Sequence, residues 1–212
     1  MGTRWRIALP WTLTSIVGLL AIYVWGQSFG WNTQAINAYQ FFPVLGLLAY
    51  SIMWSHYMVG SVKHSLLKNV QLDDYFRYTG YVVLAAIVLH PGILIYQLFH
   101  DGFGLPPGSY AHFVAPGMSW IALLGTASLF AFLAFELHRW YSQKSWWKYV
   151  IAAGDVAMLA IFYHGLRLGS QLQGGWYRVV WFFYGTTLLA MLVRKYSLLA
   201  LRKPGVDVTT GW

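Results

Sequence analysis

Residues 77–99, RYTGYVVLAAIVLHPGILIYQLF, decide the fold. After Arg77 the stretch carries no acidic or basic residue other than a histidine. At 1.5 Å per residue it is long enough to cross roughly 30 Å of hydrocarbon as a helix. His90 nevertheless sits near its middle, immediately before Pro91. An imidazole at such depth is costly unless something binds it, so it is either a ligand or an interhelical hydrogen-bonding group. Pro91 removes a backbone donor and is expected to bend the helix just beyond the histidine, which would help to aim the ring.

The rest of the chain agrees with this reading. Of 212 residues, 58% are hydrophobic, 19% aromatic and only 9% charged, whereas a soluble domain carries about 25% charged residues. Further apolar runs of about 20 residues fall near 8–26, 41–62, 118–138, 149–169 and 177–196, making six with 78–99. The expectation is an all-α polytopic membrane protein, a single domain over 1–212, with six transmembrane helices in a bundle. The absence of cysteine excludes disulfides, iron–sulfur clusters and thiolate metal sites.

Cations are strongly sided. With the N-terminus in the cytoplasm, Arg4, Arg6, Lys63, Lys68, Arg77, Arg139, Lys144, Lys148, Arg194, Lys195, Arg202 and Lys203 all fall inside, against Arg167 and Arg178 outside. Both termini are then cytoplasmic, and the expected location is the bacterial cytoplasmic (inner) membrane. The net charge of +8 reflects this topology rather than affinity for nucleic acid. The first apolar run has Trp and Tyr residues and no clear cleavage site, so it reads as a retained span rather than a signal peptide.

His90 lies thirteen residues beyond Arg77, and His164, on the fifth span, sixteen beyond Lys148. Counted at 1.5 Å per residue, these are depths of roughly 20 and 24 Å from the same side. Two imidazoles at one level on co-directional helices are placed to supply both axial ligands of a b-type heme; the competing reading is two satisfied interhelical polar groups. Ala86, Ala157 and Ala160 precede the histidines on their own faces and would make room. Arg167, three residues after His164, and Arg178 are candidates for pairing with heme propionates, or else snorkel to the interface.

A second heme between His64 and His138 is geometrically allowed, although both lie at helix ends beside Lys63 and Arg139, where solvation is the usual state. His56 reads as a packing residue that could line a cofactor or quinone pocket. Asp155 is the remaining intramembrane charge, suited to taking up protons or to pairing with another helix. His100, Asp101 and His112 belong to an outer loop.

Arg77, Gly80 and His90 on the third span, with WWKYV and FYHGL on the fifth, give the chain a pattern that resembles the ferric reductase-like transmembrane domain. That domain is the six-helix heme module of ferric reductases, NADPH oxidases and the heme subunit of the periplasmic methionine sulfoxide reductase system. The resemblance covers spans two to six and implies inner and outer hemes held by histidine pairs on the third and fifth helices. His90 and His164 match the outer pair, whereas the inner positions fall on Arg77 and Ile151, neither an ordinary heme ligand. One heme b is expected. With no GxGxxG nucleotide loop, the electron donor is separate, a flavin- or quinol-dependent partner, and the acceptor at the outer face is a protein or a metal ion. A bound flavin or quinone is compatible with this arrangement. The alternative is a heme-free six-helix carrier or anchor subunit in which Asp155, His90 and His164 handle protons or substrate.

Overall fold

The computed structural model describes residues 4–201 apart from His64 and Asn69. It is all-helical, with no strand among the described residues. Helix α1 spans Arg4–Gln27, α2 Ala38–Val62, α3 Asp73–His100, α4 Ser119–Phe135, α5 His138–Tyr141, α6 Trp147–Leu168 and α7 Gly175–Leu201. Five of these, α1, α2, α3, α6 and α7, are long and apolar enough to cross a membrane, while α4 is apolar but only 17 residues long. The chain is an integral membrane protein by this measure. The six long helices correspond to the six expected apolar runs, and α6 is the fifth of them.

Local chemistry sets the helix ends. Asn37 caps α2 by accepting the Gln40 N–H, and Asp73 and Asp74 occupy the first turn of α3, where carboxylates favour the positive end of the helix dipole. Helix α3 runs unbroken through Pro91. Helix α4 stops three residues short of the run expected from sequence. The N–H groups of Glu136 and Leu137 bond to the carbonyls of Leu133 and Ala134, three residues back, which tightens and ends the last turn.

Helix α2 is the centre of the bundle. It packs on α1, α3, α6 and α7, and its Ala49, Ser51 and Ser55 are small enough to let these neighbours approach. Hydroxyls tie the helices where lipid offers no hydrogen bonds: Thr14, Ser55 and Tyr75 form a triangle across α1, α2 and α3 with edges of 2.7, 2.8 and 3.1 Å. Against α7, Tyr50 and Trp54 meet Trp181 and Tyr184 with ring centroids 4.3 and 4.4 Å apart.

The closest helix pairs are antiparallel: α2 with α3, and α4 with α6. Helices α3 and α4 touch far less, so two hairpins face one another across a gap. Between them lies the site.

Candidate cofactor site

A cavity of about 260 Å³ opens between the two hairpins, lined by α2, α3, α4 and α6, by the 108–114 turn and by residues 169–172. His90 and His164 both line it. His90 Nδ1 bonds the Phe42 carbonyl across the α2–α3 hairpin at 2.9 Å, and His164 Nδ1 bonds the Ile121 carbonyl across the α4–α6 hairpin at 2.8 Å. A carbonyl can only accept, so each Nδ1 carries the proton and each Nε2 is left with a lone pair. This is the tautomer that a metal-binding imidazole adopts when a backbone carbonyl orients it.

The two hairpins are built alike. On the histidine helices, Ile87, Pro91 and Leu94 line the cavity with His90, and Ile161, Gly165 and Leu168 line it at the same three offsets from His164. On the facing helices, FPVLG (42–46) matches IALLG (121–125), each beginning with the carbonyl that receives the imidazole and ending in a glycine. The repeat escapes a search for fixed periods because the connecting segments differ: the facing motifs are 79 residues apart (121 less 42) and the histidines 74 (164 less 90).

The space does not come from the alanines singled out in the sequence. Ala86, Ala157 and Ala160 do not line the cavity, and the small lining residues are instead Gly46, Ala49, Ala122, Gly125, Gly165 and Gly169. Most of these lie on helices opposite the histidines, and at Gly46 and Gly125 the room is taken by the imidazole rings themselves, which a Cβ would meet at 2.8 and 2.7 Å.

The lining is apolar toward the middle of the bundle, with Met53, Ile87, Leu129, Phe132 and Ile161. No Lys, Arg, Asp or Glu lines it among the described residues. Neutral polar groups gather toward the end where α3 stops, namely Tyr39, Ser170 and Gln171, and the Gln171 Oε1 atom is buried without a partner. The loop 101–118 roofs this end, with Phe113 stacked on Tyr39 at 5.7 Å and the Tyr110 hydroxyl 3.1 Å from Thr126 Oγ1.

Arg167 is exposed, Arg178 donates to the Gln173 carbonyl at 2.7 Å, and neither lines the cavity. His56 bonds Thr79 Oγ1 at 2.7 Å, locking α2 to α3 outside the cavity. His138 is exposed and stacks on Phe135. His64 lies outside the described residues.

Asp155 belongs to a separate buried centre. Its carboxylate accepts from the Tyr57 hydroxyl at 2.8 Å, and from Lys195 Nζ and the Tyr196 hydroxyl at 2.7 Å each. It thus joins α2, α6 and α7 toward the end opposite the loop 101–118, and it does not line the cavity.

Beside the roofing loop, the Tyr39 hydroxyl donates to Asp101 and, with Gln97, holds this exposed carboxylate below its usual range. A depressed folded-state value contributes stability that is present above the ordinary carboxylate range and lost as pH falls through the folded value. Tyr39→Phe is therefore expected to lower stability slightly at neutral pH, with the gap to wild type closing on acidification. Thermal melts across pH 2–7 check it, and a gap that widens in acid would contradict it.

Comparison with protein-family models, curated proteins and solved structures finds no match to any of them.

Proposed function

We propose that the chain is a b-type membrane cytochrome of ferric reductase-like character, holding one heme between His90 and His164 and passing electrons to an acceptor at the outer face. One observation carries the reading: two imidazoles from equivalent hairpins line one apolar cavity, each with Nδ1 engaged by a backbone carbonyl and Nε2 left as a donor. The donor set suits heme iron, which takes axial imidazoles. Its macrocycle also suits the glycine- and alanine-lined walls.

His90 and His164 would hold the iron, and Ser170 and Gln171 are the neutral groups that would meet the propionates, with Arg167 and Arg178 farther out. Heme b, when bound, supplies reversible one-electron chemistry. The protein's part would be to fix both rings before the cofactor arrives and to exclude water with the apolar lining, which has no carboxylate among the described residues. The cationic helix ends, Lys63 and Lys148 among them, support a cytoplasmic placement of both termini in a bacterial inner membrane, with the roofing loop outside. Electrons then come from a separate flavin- or quinol-dependent partner.

The alternative of a heme-free carrier needs Asp155 in one path with the two histidines, yet Asp155 is committed to Lys195, Tyr57 and Tyr196. Reduced-minus-oxidised spectra of protein purified after heme-replete expression, with a pyridine hemochrome assay, test the proposal. One heme per chain is expected. A colourless preparation overturns it, and a count near two would bring in His64 and His138.

A further inference from the structure

Both ring-bearing contacts fall on carbonyls that are already in use. In an α-helix the carbonyl of residue 42 faces the N–H of residue 46, and that of 121 faces the N–H of 125. Each carbonyl oxygen has two lone pairs, so it can take the imidazole N–H as well. Side chains on a helix tilt back toward its N-terminus. The Cβ of a residue therefore stands beside the carbonyl four positions earlier, where it covers the second lone pair.

At both positions the chain has glycine. A Cβ on Gly46 would lie 2.8 Å from His90 Cε1 and 2.9 Å from its Nδ1, and a Cβ on Gly125 would lie 2.7 and 2.8 Å from the same atoms of His164. Carbon atoms rest about 3.5–4.0 Å apart, and the ring is the group that would have to leave. Glycine weakens a helix interior relative to alanine, so its presence at two matching positions needs a reason beyond the backbone.

We infer that Gly46 and Gly125 are positioning residues, each uncovering the carbonyl four residues before it so that the facing histidine is held as the Nδ1–H tautomer with Nε2 toward the cavity. Only the identity of what Nε2 binds rests on the cytochrome reading. The geometry of glycine, carbonyl and ring stands without it.

The test uses the full chain in detergent, labelled with ¹⁵N-histidine, with and without added hemin. In heme-free wild type, NMR is expected to find His90 and His164 protonated at Nδ1. Gly46→Ala should disturb that signature for His90 alone and Gly125→Ala for His164 alone, and each should weaken heme affinity about 10–100-fold, the range seen when a ligand's orienting partner is lost. Gly80→Ala and Gly92→Ala, where an added Cβ meets nothing within 4 Å, should change neither readout. Unaltered tautomers and affinity in both Gly46→Ala and Gly125→Ala overturn the assignment. Should an alanine variant fail to fold, wild type decides, because rings protonated at Nε2 overturn it too. Nδ1–H rings in a wild type that takes up no heme would sink the cytochrome and leave the glycines in their role.

Discussion

Alanine at His90 or at His164 is expected to abolish the low-spin, bis-imidazole absorption of the heme-loaded protein and to cut retained heme by about ten-fold or more. The two losses should be nearly equal. Each ring is one of two equivalent donors to the same cavity, anchored by the same kind of bond at 2.9 and 2.8 Å. With heme bound, loss of either ring would take one of the two imidazoles proposed to hold the iron, and the Soret band would be expected to shift and the site to open to small exogenous ligands. His100→Ala serves as the control, since that side chain sits exposed beside Asp101 and does not line the cavity. If either His90→Ala or His164→Ala kept the wild-type spectrum, the ligand assignment would be wrong.

The second large effect lies away from the cavity. Asp155→Leu takes the 2.7 Å carboxylate partner from Lys195, whose side chain is only 13% exposed, and removes the acceptor for two tyrosine hydroxyls. Breaking one partner of a buried ion pair costs about 3–5 kcal/mol, because the remaining charge stays desolvated. At about 2–4 °C per kcal/mol for a chain of this size, the midpoint of thermal unfolding in detergent should fall on the order of 10 °C. Adding Lys195→Met should recover part of that loss, since an apolar pair of similar volume has no buried charge to desolvate. Circular dichroism melts of the two variants measure this. A double variant less stable than Asp155→Leu alone would show that Lys195 is held chiefly by something other than the carboxylate.

Much of the fold was legible because membranes impose simple arithmetic. Apolar runs of about 20 residues mark spanning helices, and all six expected runs correspond to helices in the structure. The fine placement of α4 was not legible, since its end depends on a three-residue hydrogen-bond step at Glu136 that leaves no strong signal in composition. His90 and His164 stood out in sequence because a polar ring is rare at that depth. Their meeting in one cavity was read from counting residues on co-directional spans. What the count missed was the opposite wall. Gly46 and Gly125 matter through contacts 44 and 39 residues away in the chain (90 less 46, 164 less 125), and a glycine in a membrane helix is too common to signal such a role. The matching FPVLG and IALLG segments were the available clue, visible only once the histidines give the alignment its frame. Asp155 reads in sequence as an isolated intramembrane charge; its partners come from two other helices, α2 and α7, and only folding joins them.

The paired hairpins also differ at matched places. Pro43 stands where its counterpart has Ala122, and Pro91 where its counterpart has Gly165, so one half carries rigid rings next to its histidine and the other carries small residues. The backing behind each imidazole is thus stiff on one side and yielding on the other, while the carbonyl and glycine that anchor the ring are the same in both halves.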